Sequence, residues 1–441
     1  MGLGHHNAMN LLVTNTRAAQ AYLIIRALRP WARKIVVTMY GSNSLTAWLS
    51  HAAASRLVDK RYYVPSPAGD WRRGRVEKTN STSEETYIRK VLEICEREQI
   101  DTIFPSWDAQ LHVLAKSKER FEKLGVLIPL PDYTTLSTAL DKYQAILAAQ
   151  EVGFSCPRTY LPEDPQDIGR LADELGFPLI IKPRYTSWGI EIVRDRESLV
   201  QKTRELAGKY GMPMLQEYIP GGERQDVHLL LDQAGDVKLV FPRSTHRTLR
   251  LDPHAHFATV HQSTYHGTDV PEAIRLLRKL GWWGSATVET IVDPRDRTRK
   301  FIELIPRFRR QLWNTTELGI NVPWMCLKIA RGEVVEPVKD YPAGVVFLNP
   351  MEDVLVLVCQ LLDLITYKLK TRIMGKAPLD LYNPPQSVQE LLRSCAHAYC
   401  GPNPKLVDPY CRYFLQDPIV SILWWLQLSS WIAGLARQLG R

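Results

Sequence analysis

The first third of the chain alternates short apolar runs with longer stretches of helical spacing. Apolar runs predict strands at 11–15 and 34–40, and shorter ones within RLVDKRYYVP, DTIFPS and GVLIPL. Helical spacing lies between them, in Ser42–Ala54 and in SEETYIRKVLEICERE. Strands separated by helices of this length are typical of parallel βαβ units. We therefore predict an α/β domain over residues 9–131.

The pattern changes at about residue 132. In residues 132–340, strands such as FPLIIKP lie among helices and are followed by alternating polar and apolar stretches. This arrangement predicts α+β structure with antiparallel sheets. Residues 341–441 are mostly helical in pattern and contain proline-rich breaks. The chain is thus predicted to have three parts, the last of them a mostly helical C-terminal region.

Composition narrows the range of ligands. The 441 residues are 45% hydrophobic and 23% charged, as in an ordinary globular protein, and carry a net charge of +9. This balance suits an anionic ligand such as a nucleotide or an acidic surface, but no basic block is present, so we predict no nucleic acid partner. Seven cysteines, an odd number, favour a cytoplasmic location over a disulfide framework. No G-x-G-x-x-G follows the first strand, which disfavours a dinucleotide-dependent oxidoreductase.

An uncharged stretch near the C-terminus leaves three interpretations open. Residues 419–436, IVSILWWLQLSSWIAGLA, contain no charged side chain over 18 positions. They predict a docked helix in a core or interface, a helix lying on the inner face of a membrane, or a short membrane span. The serines and Gln427 within the stretch favour the docked helix.

Two strand ends in the middle region carry candidate chemistry. Lys182 ends the apolar run PLIIK, and the loop after it contains Ser187 and Gly189. Small residues let backbone N–H groups approach phosphate oxygens, and the lysine supplies charge. A similar strand end at PMLQEYIPGGE offers a backbone edge to an adenine and Glu223 to ribose hydroxyls. The alternatives are a solvated strand end and an ordinary turn, respectively.

A predicted hairpin holds two carboxylates among apolar neighbours. GWWGSATVETIVD places Glu289 in one strand, and FIELIPRF places Glu303 in the next. Adjacent buried carboxylates repel each other unless a cation lies between them, and Mg²⁺ prefers oxygen ligands of this kind. The sequence leaves two interpretations open. Either the pair holds a metal, or each carboxylate pairs with a neighbouring arginine.

Taken in order, these motifs resemble the ATP-grasp superfamily, in particular its carbamoyl-phosphate-synthase-like and carboxylate–amine ligase members. The resemblance rests on the following residues in this order: Asp141-Lys142, Lys182-Pro183, Gln216-Glu217-Tyr218-Ile219, Glu289, and Glu303 with Pro306-Arg307. It implies a Rossmann-like pre-ATP-grasp domain at 9–131 and an ATP-grasp domain at 132–340. A lid subdomain is implied at about 143–212.

The resemblance also implies cofactors and residue roles. ATP and Mg²⁺ are the implied cofactors, and a small-molecule carboxylate and an amine are the implied substrates of an acyl-phosphate-forming ligase. Phosphate contacts are implied for Lys142, Lys182, Ser187, Gly189, Arg247 and Arg307, of which Lys182, Arg247 and Arg307 would be catalytic. Adenine and ribose contacts are implied for Gln216, Glu217, Tyr218, Ile219 and Glu223. Glu289 and Glu303 would bind the metal.

The chain departs from the family pattern beside its second carboxylate. The family usually has asparagine where Ile305 stands, and strand alternation puts Ile305 on the same face as Glu303. This predicts a weaker second metal site, and it leaves open a catalytically weakened or inactive nucleotide-binding relative. Arg309-Arg310 follow where the family has small residues. They either recognise an acidic substrate or begin a solvated helix.

Two His/Cys clusters are predicted not to bind zinc. His254 and His256 would share a strand face, but further ligands at zinc-binding distances are not apparent. Cys395, Cys400 and Cys411 lie near His397 in a spacing that fits no standard zinc pattern, so we predict buried structural thiols.

Overall fold

The computed structural model describes residues 9–40, 50–67, 81–185, 189–220, 223–250, 256–265, 269–358, 360–361, 364 and 387–427. Most of the helix predicted at Ser42–Ala54 falls outside these ranges. Only its end is described, as a 3-10 turn at His51–Ala54.

The N-terminal domain is built on a parallel sheet. Its strands are β1 (Met9–Val13), β2 (Ala32–Tyr40), β3 (Lys60–Val64) and β4 (Thr102–Phe104), in the order β3-β2-β1-β4. Its helices are α1 (Ala19–Leu28), α2 (Ser81–Glu98), α3 (Asp108–Lys116) and α4 (Lys118–Glu122). All five residues of β1 are buried, as expected for a central parallel strand with both faces covered. The α/β prediction is confirmed. The predicted strand GVLIPL is reduced to one bridge, between Thr102 and Leu127.

A small antiparallel unit, here called the lid, follows two linking helices. The helices are α5 (Tyr133–Leu140) and α6 (Lys142–Glu151). The lid contains β5 (Thr159–Tyr160), α7 (Asp167–Leu175), β6 (Leu179–Lys182), β7 (Glu191–Val193), α8 (Arg196–Tyr210) and β8 (Met214–Glu217). Its four strands pair in the order β5-β8-β6-β7. A core of its own, which includes Leu171, Leu179 and Leu199, separates it from the rest of the chain.

The lid differs from the predicted boundaries at both ends. Helix α6 buries Ala145 and Ile146 in the large core that also includes β12 and β13 residues, so it belongs to the main body. Strand β8 pairs with β6 as far as Glu217 and therefore belongs to the lid. The sequence pattern could not reveal these boundaries, because helical spacing does not indicate which core a helix packs against.

The main sheet has seven strands. They include β9 (Arg224–Leu231), β10 (Val237–Arg250), β11 (His256–Ser263), β12 (Gly284–Val292) and β13 (Arg299–Ile305). Helix α9 (Val270–Lys279) precedes β12, and α10 (Leu312–Glu317) and α11 (Val322–Ala330) follow β13. The strand order is β13-β12-β9-β10-β11-β14-β15, and the pairing of β9 to β13 is antiparallel, as predicted.

The C-terminal region completes this sheet. Strands β14 (Val346–Leu348) and β15 (Lys405–Val407) add to its edge, β15 being parallel to β14. The helices here are residues 350–358, α12 (Val388–Cys395), α13 (Pro409–Arg412) and residues 418–427. The region is therefore not helical throughout. Three-residue strands are too short to produce a detectable alternation.

The described part of the uncharged C-terminal stretch packs as a docked helix. Within residues 418–427, Trp424 is 5% exposed and its ring stacks on Tyr410 with the ring centroids 4.9 Å apart. Gln427 lies 3.2 Å from the Nδ1 atom of buried His51 in the N-terminal domain. Residues 428–436 lie outside the described part. Among the described helices, none has both the length and the apolar character needed to cross a bilayer.

Candidate active site

Three carboxylates form a row across neighbouring strands of the main sheet. Glu303 on β13 lies opposite Glu289 on β12, and Glu289 lies opposite Asp226 on β9. On the next strand, Arg243 lies opposite Asp226. Directly opposed residues have Cβ atoms about 5 Å apart. The predicted hairpin therefore exists, and it continues into a third carboxylate that the sequence analysis did not identify. We call Glu303, Glu289 and Asp226 the acidic row.

Each carboxylate of the acidic row has a cationic partner. The ammonium group of Lys142 forms an ion pair with Glu303. Arg309 bridges the other two, with its Nη2 atom 2.6 Å from Glu289 Oε1 and its Nη1 atom 3.1 Å from Asp226 Oδ2. Arginine pairing, one of the two interpretations left open by the sequence, is thus observed for Glu289, whereas the partner of Glu303 is a lysine predicted to bind phosphate.

These ion pairs revise the interpretation of the two consecutive arginines. Arg309 neither begins a solvated helix nor faces an open substrate site, because its side chain is 17% exposed and held by two carboxylates. Arg310 is 11% exposed and forms an ion pair with Glu352. Its guanidinium carbon also lies 5.2 Å from the Trp424 ring centroid, which connects the segment after β13 to the C-terminal helix.

The charge around Glu289 keeps it ionised. Burial alone would raise the pKa of the Glu289 carboxyl, but the positive charges of Arg309, Arg224 and Lys142 lower it below its ordinary value. A carboxylate held in this form is ready to bind a cation.

The two predicted phosphate-binding lysines are both buried near this row. Lys182 is the last residue of β6 and is 4% exposed, while the Lys142 side chain is 9% exposed at the start of α6. Burial, together with the charge of Lys142, lowers the pKa of Lys182 to about 7. Burial also lowers the pKa of Lys142 to about 8, although Asp108 and Glu289 favour its charged form. Burial therefore disfavours the ammonium form of both lysines.

Lys182 is held by a neutral partner. Its Nζ atom donates to Gln216 Oε1 at 2.9 Å, and Gln216 in turn donates to Thr159 Oγ1 at 2.8 Å. Within the described residues, no carboxylate forms an ion pair with Lys182. Gln216, predicted to line an adenine site, here positions the lysine across the lid sheet.

Asp141 ties the two lysine-bearing elements together. Its carboxylate accepts from the backbone N–H of Tyr143 at 3.0 Å and so caps α6. It also accepts from the Arg184 Nε atom at 3.2 Å and the Tyr185 hydroxyl at 3.1 Å. Because Arg184 and Tyr185 follow β6, the lid strand is fixed next to the start of α6.

Arg307 reaches from the end of β13 to the N-terminal domain. Its Nε atom lies 2.5 Å from Asp108 Oδ1, and its guanidinium carbon lies 4.7 Å from the Trp107 ring centroid. Its charge is also among those that lower the pKa of Lys142, which places Arg307 at the edge of the lysine and carboxylate cluster. The sequence analysis did not identify Asp108 as its partner.

The residues of the predicted nucleotide edge after β8 differ in exposure. Glu217 pairs with Arg295 at 2.6 Å, which gives it a structural role at the lid boundary. Ile219 is 7% exposed and Glu223 is exposed at the start of the main sheet. Tyr218, which precedes Ile219, is half-buried.

The loop after β6 is described at Gly189 and not at Ser187. Gly189 has a φ of +82°, and an added Cβ would lie 2.7 Å from the Tyr210 ring and 2.9 Å from Leu206 Cδ2. Glycine is therefore required here by both its backbone conformation and its close packing on α8.

Arg247 does not join the cluster in this structure. Its side chain is 3% exposed and forms an ion pair with fully buried Asp353 at 2.5 Å. It also donates to Ser394 Oγ at 2.9 Å. In this structure Arg247 therefore belongs to a buried ion pair that joins β10 to the C-terminal region, and its catalytic role stays a prediction.

The remaining cysteine and histidine predictions have mixed outcomes. Cys395 and Cys411 are half-buried and Cys400 is exposed, so the prediction of buried thiols is wrong for these three. His254 lies outside the described residues, and the side chain of His256 is not described. In the described part of the chain, no group of three or more His, Cys, Asp or Glu side chains is arranged to hold a metal ion.

Comparison with known proteins identifies the middle of the chain. Residues 141–337 match the family model for the ATP-binding domain of the carbamoyl-phosphate synthase L chain. They form an ATP-grasp domain. Residues 75–129 match a PylC-like N-terminal domain, which agrees with the predicted domain preceding the ATP-grasp fold.

The ATP-grasp resemblance extends to longer proteins and to solved structures. The chain is 24% identical to acetyl-CoA carboxylase of Saccharomyces cerevisiae over 375 residues, covering 76% of this chain and 16% of that protein. The biotin carboxylase domain of Hydrogenobacter thermophilus 2-oxoglutarate carboxylase, solved with MgADP and bicarbonate, has a TM-score of 0.61 and 17% identity, with 78% and 74% of the two chains covered. The L-amino acid ligase of Bacillus licheniformis has a TM-score of 0.55 and 18% identity, with 75% and 78% covered. These structures share the fold of this chain.

Proposed function

We propose that the chain is an ATP- and Mg²⁺-dependent ligase that activates a small-molecule carboxylate as an acyl phosphate and joins it to an amine. The observation that carries this proposal is the pair of buried lysines, Lys142 and Lys182, beside the acidic row. Lys182 has a pKa of about 7, and in the described part of the chain its hydrogen-bond partner is the neutral Gln216, so a polyphosphate would supply the negative charge that it lacks there.

The donor set fits both cofactors. The ammonium groups of Lys142 and Lys182 would hold phosphate oxygens. Glu289 and Glu303, on adjacent strands, would offer carboxylate oxygens to Mg²⁺, which ordinarily takes one or two carboxylates and completes its shell with phosphates and waters. Two protein ligands are therefore enough. When bound, Mg·ATP supplies the phosphoryl group that activates the carboxylate.

The other residues of the cluster act by holding and orienting. The guanidinium of Arg307, fixed by Asp108, offers donors at the end of β13, where a transferring phosphoryl group or an acyl phosphate would need positive charge. The lid carries Lys182 on its own sheet and core, so closure of the lid over the nucleotide would keep the lysine at the phosphates and exclude water.

The relatives support the reaction class. One structural neighbour was solved with MgADP and bicarbonate, and another is an L-amino acid ligase. The chain spans about a sixth of the length of the curated carboxylase it matches, so its own carboxylate and amine are part of the proposal. We also propose a cytoplasmic location. Membrane contact is not part of the proposal, because the described C-terminal helix packs Trp424 and Gln427 inside the protein.

The test combines nucleotide binding with turnover. We expect Mg·ATP to bind and ADP to be released when a panel of amino acids and short carboxylic acids is added. Lys182→Met and Glu303→Gln should each abolish that release. Lys279→Met is the matched control, since Lys279 is 40% exposed and pairs with Glu151 away from the site. Unchanged turnover in both site variants would refute the assignment. Binding without any turnover across a broad panel would instead indicate an inactive relative.

A further inference from the structure

We propose that the Arg309 guanidinium takes the place of a second divalent cation, so that this chain binds its nucleotide with a single metal ion. The inference rests on the proposed function, because it concerns the metal that accompanies the nucleotide. It assigns to Arg309 a positioning role that neither the fold nor the sequence motifs assign.

The first observation is the position of the guanidinium. Arg309 contacts Glu289 at 2.6 Å through one nitrogen and Asp226 at 3.1 Å through the other. These two carboxylates lie opposite each other on adjacent strands, β12 and β9. A divalent ion placed between these two carboxylates would neutralise both of them. In this chain the guanidinium of Arg309 occupies that position.

The second observation is the surroundings of Arg309. Arg243 lies on the other side of Asp226, with its Nη2 atom 2.5 Å from the same carboxylate, and it is 2% exposed. Asp226 is thus saturated by two guanidinium groups. A metal approaching Glu289 from this side would meet positive charge that cannot be removed by deprotonation, because arginine stays protonated in proteins.

The third observation concerns Ile305. It lies opposite Thr287 on β12, two residues beyond Glu303, and is 9% exposed. Alternation along β13 places it on the face of Glu303, where it contributes no oxygen. The acidic row therefore lacks an oxygen ligand beside Glu303, and Arg309 occupies the side between Glu289 and Asp226. Glu303, paired with the exchangeable ammonium of Lys142, and the second oxygen of Glu289 remain available to a single metal ion.

The test is a count of bound metal ions, with Mn²⁺ as a paramagnetic substitute for Mg²⁺. Free Mn²⁺ is measured by electron paramagnetic resonance while protein saturated with a non-hydrolysable ATP analogue is titrated, and bound nucleotide is measured in parallel. We expect one Mn²⁺ per bound nucleotide in the unaltered protein and two in Arg309→Gln, which frees the Glu289 and Asp226 oxygens that the guanidinium contacts. Arg309→Lys keeps the charge and should stay at one.

Two further variants show whether the guanidinium of Arg309 is what limits the number of bound metal ions. Ile305→Asn restores an oxygen but leaves the guanidinium in place, so it should stay at one. Arg310→Gln is the matched control, because Arg310 pairs with Glu352 instead of the acidic row, and it should also stay at one.

Two Mn²⁺ per nucleotide in the unaltered protein would overturn this inference alone, and this holds even if Arg309→Gln does not fold. A second Mn²⁺ in Ile305→Asn would also overturn it, since the missing oxygen and not the guanidinium would then limit the count. Failure of the unaltered protein to bind any nucleotide would overturn the proposed ligase function as well.

Discussion

The pKa of Lys182 predicts that nucleotide binding takes up a proton. In the ligand-free protein burial and the charge of Lys142 together lower this pKa to about 7. Bound phosphates would favour the ammonium form and raise the pKa again. At pH 8, a lysine of pKa 7 is only about one-tenth protonated, so binding would take up about 0.9 proton. The nucleotide affinity should therefore fall about tenfold between pH 6 and pH 8, equivalent to about 1.4 kcal/mol.

Titration calorimetry in two buffers of different ionisation enthalpy measures this proton uptake directly. The nucleotide titrates as well, so the quantity of interest is the difference between the unaltered protein and Lys182→Met, in which the uptake assigned to the lysine should disappear. Proton uptake that is equal in the two proteins, or an affinity that does not change with pH, would refute the argument.

The lowered pKa of Lys182 also predicts how the unfolding free energy changes with pH. A lysine whose pKa is lower in the folded than in the unfolded protein destabilises the fold most at low pH. The unfolding free energy of the ligand-free protein should therefore rise with pH from about 7 toward 10, by at most about 1.4 kcal/mol per unit. Lys182→Met should lack this contribution, and denaturant unfolding at several pH values measures it.

Three other changes test separate parts of the arrangement. Lys142→Met and Glu303→Gln should each lower the unfolding free energy by about 2–3 kcal/mol in denaturant melts, because each change leaves one buried charge unpaired. The double variant should lose less than the sum of the two, and simple additivity would contradict the pairing. Gly189→Ala should weaken nucleotide binding at least about tenfold in titrations, because it forces a clash at positive φ, while Gly208→Ala, whose added Cβ meets nothing within 4 Å, should bind normally. Glu352→Gln should lower stability by about 3 kcal/mol in thermal unfolding without changing nucleotide affinity, and an unchanged melting temperature would refute its role in joining the C-terminal helix.

Local pattern was sufficient to predict the hairpin and to place its carboxylates. Alternation along a strand fixes which residues share a face, and a short charged turn between two apolar strands fixes the pairing. For this reason Glu289 and Glu303 could be predicted from the sequence alone to lie side by side. The order of the motifs along the chain indicated the ATP-grasp fold.

The ion-pair partners of these charged side chains could not be predicted, because they lie on elements that only the fold brings together. Lys142 lies 161 positions before Glu303, and no local rule connects them. Arg247 illustrates a different limit. Register shifts on either side of Arg247 in the β10–β11 pairing break the alternation, and its side chain pairs with Asp353. Four positions earlier on the same strand, Arg243 is the arginine that reaches the acidic row.

The ion pair between Lys142 and Glu303 gives the site a physical reason to bind metal and nucleotide together. In the ligand-free protein each group neutralises the other in a largely buried setting. Phosphate alone would draw Lys142 away and leave Glu303 without a cation, while metal alone would draw Glu303 away and leave the lysine charge unpaired. Mg²⁺ and nucleotide together satisfy both groups, since the lysine passes to the phosphate and the carboxylate passes to the metal. The cost of breaking the pair is then incurred once for two ligands, so each ligand must increase the affinity of the site for the other by the same factor.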